Sequence, residues 1–72
     1  MSQDALSAAA RAYDAACEHA REAYKAYSSL DAGYTAADRS AHYARACEAG
    51  LAQTRALETL GRVARAWVKA GH

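Results

Sequence analysis

The stretch "SSLDAGYTAAD", Ser28 to Asp38, decides the fold. Ser28, Ser29, Asp31 and Gly33 form the only turn-rich cluster in the chain. Gly33 suits the left-handed position that follows a helix end. Thr35 followed by Asp38 has the spacing of a capping box, with Asp in place of the usual Glu or Gln. The cluster therefore ends one helix and starts another. The expected elements are helix 1 over about 3–29, a turn over 30–34 and helix 2 over about 35–70. Ser2 is a candidate N-cap for the first helix, and Asp4 is favourable in its first turn.

Composition agrees with an all-α chain. There are no prolines and twenty-two alanines, and alanine is the best helix former. No stretch alternates with the period of a strand. The chain is 72 residues long, which makes residues 1–72 one small domain. The 53% hydrophobic content overstates the core, because alanine buries little area. The larger apolar residues are Leu6, Leu30, Leu51, Leu57, Leu60, Val63, Trp67 and Val68, with five tyrosines and no Phe. A single core of this size supplies no more than roughly 3–5 kcal/mol. Self-association, a disulfide or a larger partner is expected to supply the rest.

Helix 1 carries a stripe. Leu6, Tyr13, Ala20 and Tyr27 recur every seven residues, flanked by Ala9, Ala16, Ala23 and Leu30 on one side and by Ala10, Cys17 and Tyr24 on the other. This is a coiled-coil repeat of small residues with tyrosines as the large knobs. Helix 2 shows Ala36, Tyr43, Gly50, Leu57 and Ala64 at the same spacing. Ala46, Gln53, Leu60 and Trp67 lie to one side, and Cys47, Thr54, Gly61 and Val68 to the other. Gly50 and Gly61 each cost about 1 kcal/mol relative to alanine. A break near Gly50, giving three helices, is the rival topology. The continuous register across Gly50 favours one long helix.

These stripes predict an antiparallel helical hairpin that dimerises as a four-helix bundle. Its expected core and dimer residues are Leu6, Tyr13, Cys17, Tyr24, Tyr27, Tyr43, Cys47, Leu57 and Leu60. With the turn centred near Ala32, facing residues would have numbers adding to about 64. Cys17 and Cys47 would then share a level. "YDAACE" at Tyr13–Glu18 and "YARACE" at Tyr43–Glu48 would be matching layers. The cysteines read as packed small apolar residues, as a disulfide closing the hairpin, or as metal ligands. His19 and His42 stand at no recognised zinc spacing from them.

No catalytic constellation stands out, so no enzyme, cofactor or metal is expected. Glu18 and Glu22, one turn apart, have Arg21 and Lys25 close enough to pair with them. There is no phosphate-binding glycine loop or nucleophile motif. The start lacks a basic region and a long apolar run, and no stretch approaches the ~20 residues of a membrane span. The expected compartment is the cytoplasm, where thiols stay reduced.

The formal net charge is +1. Residues 1–33 hold three Lys/Arg against five Asp/Glu, and residues 34–72 hold six against three. Arg55, Arg62, Arg65 and Lys69 run along the last half of helix 2, with no acid after Glu58. Tyr, Trp and Arg dominate binding hot spots. The expected partner-binding residues are thus Tyr34, Arg55, Arg62, Arg65, Trp67 and Lys69. The expected function is a non-enzymatic module that docks on a larger protein as an adaptor, accessory subunit or inhibitor. The alternative is a dimeric nucleic-acid binder using the basic face of helix 2.

The hairpin around "LDAG", Leu30 to Gly33, is similar in plan to the small plasmid RNA-binding helical hairpins that dimerise into four-helix bundles. It also resembles the small subunit of exonuclease VII, another short helical hairpin. The likeness covers architecture and four turn residues, and no functional residue is carried over.

Overall fold

The computed structural model describes residues 3–30 and 33–71. Two helices account for nearly all of them: α1, Gln3–Ser28, and α2, Ala36–Lys69. They pack antiparallel along a rod with extents of 57 × 13 × 11 Å. Ser2, Asp31, Ala32 and the turn geometry expected around Gly33 lie outside the described residues.

The helix ends form as the sequence dictates. Asp4 sits in the first turn of α1 and Lys25 in its last, each opposing the local end of the macrodipole. At the C-terminus the Ser28 hydroxyl donates to the Tyr24 carbonyl at 2.9 Å, and the Ser29 hydroxyl to the Lys25 carbonyl at 2.7 Å. The Lys25 carbonyl also accepts from the Ser29 N–H at 3.0 Å, so the serine hydroxyls reinforce the last turn. α2 begins with the capping box. The Asp38 N–H donates to Thr35 Oγ1 at 3.1 Å, and the Thr35 N–H donates to the Asp38 carboxylate at 3.4 Å. Such a cap contributes about 1 kcal/mol. α2 ends at Lys69 with Ala70 as its C-cap, and Gly71 follows with a φ of 97° that glycine adopts without strain. Gly50 and Gly61 do not break it: α2 is continuous for 34 residues.

The seam between the helices is narrow. On α1 it consists of Leu6, Ala9, Tyr13, Ala16, Ala20, Ala23, Tyr27 and Leu30, all turned at least partly from solvent. On α2 it consists of His42, Ala46, Ala49, Gln53, Ala56, Leu60, Val63 and Trp67. Both sets step by alternating threes and fours, the spacing of a coiled-coil seam. Among the described residues only Ala9 and Ala49 are buried, Ala49 at 2% exposure.

Three expectations are corrected here. The column Ala36, Tyr43, Gly50, Leu57 and Ala64 is not the centre of the α2 seam but its flank. As core residues of the hairpin itself, Tyr24, Tyr43, Cys47 and Leu57 are likewise displaced, since all four are exposed. Leu6, Tyr13, Cys17, Tyr27 and Leu60 are half-buried. The physical reason is closeness. Alanines on both helices let the backbones approach, and larger side chains stand beside the contact.

The register also differs. Cys17 faces Gln53 and Tyr27 faces Tyr43, so facing residues have numbers adding to 70, not 64. The connection is therefore lopsided. Residue 28 stands level with residue 42, so the first turns of α2 extend past the end of α1. Residues 36–41 are accordingly all exposed. Cys47 lies six residues nearer the connection than Gln53, the residue level with Cys17. The two cysteines are thus offset by about 9 Å along the axis. Both are free thiols.

Candidate functional site

The hairpin has two long sides, and they differ in chemistry. One side carries Ala10, Cys17 and Tyr24 from α1 with Tyr43, Gly50, Leu57, Gly61, Ala64 and Val68 from α2. Its middle is a groove of about 460 Å³ lined by Cys17, Ala20, Arg21, Tyr24, Ala46, Gly50 and Gln53. A separate hollow toward the connection is lined by Tyr27, Ala36, Arg39, Ser40 and Tyr43. A shallow hollow toward the other end is lined by Ala64, Arg65, Val68 and Lys69. Tyr24, at 65%, and Val68, at 62%, are among the most exposed large apolar side chains. Gly50 opens a hole here: a Cβ at that position would meet nothing within 4 Å.

The opposite side is polar. His19 and Glu22 of α1 and His42, Arg45 and Glu48 of α2 rim a groove of about 500 Å³ floored by Ala23, Ala26, Ala49 and Ala52. No group of three or more His, Cys, Asp or Glu among the described residues is placed to hold a metal ion. Glu18 and Glu22 are exposed, and Glu18 pairs with Arg21 at 3.9 Å across one helical turn.

The repeated hexapeptide has a local explanation. In each copy the cysteine stands one helical turn past the tyrosine and favours the neutral form of its phenol. Tyr13 joins Cys17, and the Gln53 side chain donates to Cys17 Sγ at 3.3 Å, tying the pair to α2. Tyr43 joins Cys47, and its ring packs on Tyr27 with centroids 5.4 Å apart and a 58° tilt. Such aromatic pairs contribute about 0.5–1.5 kcal/mol. The hexapeptides are thus equivalent local units at different levels of the rod.

Both phenols titrate above their ordinary value. The hydrogen bond to the cysteine is the largest cause, and the charge of that cysteine is the second. The sign follows. Both causes disfavour the charged phenolate. The folded state then holds these protons more tightly than the unfolded state. Stability from this source is complete below about pH 10 and is lost as pH rises through the raised values. Ultraviolet titration of the phenolates should resolve a late component from two of the five tyrosines. Cys17→Ala and Cys47→Ala should each remove one share of it. One common transition, unchanged by either substitution, would mean that these pairs do not form in solution.

The residues expected to bind a partner do not form one surface. Trp67 belongs to the seam, half-buried toward α1. Tyr34 lies at the connection end, edge-on to His42 with centroids 6.3 Å apart. Arg55, Arg62, Arg65 and Lys69 do share a side, the outward one of α2, and all four are exposed. Leu51 is exposed on that same side. The seam roles of His42 and Gln53 escaped the sequence reading. Their signal was the unbroken three–four spacing from His42 to Trp67.

Among the described residues, no helix is long and apolar enough to cross a membrane. Comparison with protein family models, curated proteins and solved structures gives no match.

Proposed function

We propose that this chain is a non-enzymatic protein-interaction module that closes its core on another protein surface and, docked on a larger protein, modulates it. One observation carries the reading. The hairpin buries two alanines and leaves Tyr24, Tyr43, Leu57 and Val68 open along one side. A core that thin is short of the stability a free-standing domain needs. Completion by a homodimeric four-helix bundle leaves the outward side of α2 for the larger partner. Leu51 offers an apolar contact there, and Arg55, Arg62, Arg65 and Lys69 suit an acidic rim.

The outward cations also favour a second reading, contact with nucleic-acid phosphates. Helix content followed by circular dichroism over a wide dilution range tests the first. The expected result is helicity that falls on dilution into the nanomolar range. A chain that stays monomeric and folded at every concentration, with cooperative unfolding, would sink the proposal. Titration with random-sequence duplex DNA at 50 and 200 mM salt tests the second. Phosphate contact requires tight binding that weakens steeply with salt and tracks Arg62, Arg65 and Lys69.

A further inference from the structure

We propose that the apolar side of the hairpin is covered by a second copy of this chain turned end over end, with the connections at opposite ends of the dimer. This rests on the reading of the chain as an interaction module and names what closes its core. The argument is one of shape along a line. From the connection end the apolar side is first bulky, at Tyr24 and Tyr43. It is then small, at Cys17 and Gly50, bulky again at Leu57, and small at Ala10, Gly61 and Ala64. A copy laid connection to connection stacks tyrosines on tyrosines and small residues on small.

A copy turned end over end pairs α1 with α1 and α2 with α2. A single two-fold axis at the level of Cys17 and Gln53 then sets Tyr24 against Ala10, with numbers adding to 34. It sets Tyr43 against Ala64, and Leu57 against Gly50, with numbers adding to 107. In the register fixed by the hairpin, these sums place the axis within half a residue of one level. Tyr24, Tyr43 and Leu57 each meet a small side chain, as knobs meet holes, while Val68 falls against Arg39 at the ends. The hole above Gly50 is the open space already noted.

Charge gives an independent agreement. On the edge of the same side, Arg21 of one copy falls beside Asp14 of the other, and the symmetry makes the pair twice. The area is also adequate. A face of 57 × 13 Å has a footprint of about 740 Å². A standard stable interface covers about 800 Å² per partner.

The same axis puts Cys17 beside Cys17 of the copy and leaves Cys47 about 20 Å from its own counterpart along the axis. A short bis-maleimide therefore reads the orientation. The Cys47→Ala chain should be captured as a covalent dimer through Cys17, and the Cys17→Ala chain should not. Light scattering reads the face. Leu57→Glu should halve the mass from about two chains to one, and Ala52→Glu, on the polar side, should leave it at two.

A dimer that survives Leu57→Glu, or one captured through Cys47 instead of Cys17, overturns the inference while leaving the interaction module standing. A monomer that unfolds without cooperativity overturns it too and points to a different occupant. A stable, cooperatively unfolding monomer overturns both.

Discussion

Ala49→Asp abolishes the hairpin, while Ala52→Asp, one turn away, leaves it folded. Ala49 is the most buried residue, at 2% exposure, and lies where α2 comes closest to α1. At its level α1 offers only Ala20 and Ala23, neither of which can donate a side-chain hydrogen bond. An aspartate there must seat extra volume and a charge at a tightly packed point of the seam, with only the groove on the polar side to relieve it. The expected cost is about 3 kcal/mol or more. That is comparable with the roughly 3–5 kcal/mol that a core of this size supplies. Ala52 is exposed, so aspartate there costs only helix propensity, about 0.7 kcal/mol. Circular dichroism at neutral pH should show the helical signal lost in the first variant and kept in the second. Equal helicity in both would mean that the helices do not meet along the Ala9–Ala49 seam.

Much of this contrast was legible in the sequence, and the part that was not has a physical cause. Punctuation located the helix ends to within one residue. Paired serines close α1, and a Thr–Asp box opens α2. The stripe on α1 was read correctly because its large residues, Leu6, Tyr13 and Tyr27, lie on the seam itself. On α2 the large residues Tyr43 and Leu57 lie one step to the side. Ranking positions by apolar size therefore selected the flank. The true seam runs through His42 and Gln53, which are polar, and through alanines, whose contribution is closeness and not area.

The register was hidden for a different reason. Counting from the centre of the turn assumes that both helices end at the same height. α1 stops at Ser28 while α2 begins six residues beyond its level partner at position 42. Only the cross-helix contacts reveal that offset. The same error placed Cys17 and Cys47 together. The hexapeptide repeat is local, a tyrosine set one helical turn before a cysteine. It says nothing about which levels face each other.

Trp67→Ala should destabilise the hairpin by about 2 kcal/mol, whatever it does to a partner. Trp67 has the residue type of a binding hot spot, which made it the natural anchor of a contact surface. Its position argues otherwise. It is the last member of the three–four series that contains Ala49, Gln53 and Leu60, and in the observed register it closes the open end beside Leu6. Truncating a fully buried Trp costs about 3–5 kcal/mol, and half-burial scales that down. Arg65 and Lys69 flank it in sequence but point outward. Their alanine variants should shift the unfolding midpoint by no more than about 0.5 kcal/mol. Urea unfolding of the three variants separates the roles. A Trp67→Ala chain with the wild-type midpoint would place the indole outside the seam and return it to the partner-facing set. A lowered midpoint for Trp67→Ala alone assigns the indole to the fold. Recognition then rests on what the fold leaves outside, the apolar side with Tyr24, Tyr43 and Leu57 and the cationic outer side of α2.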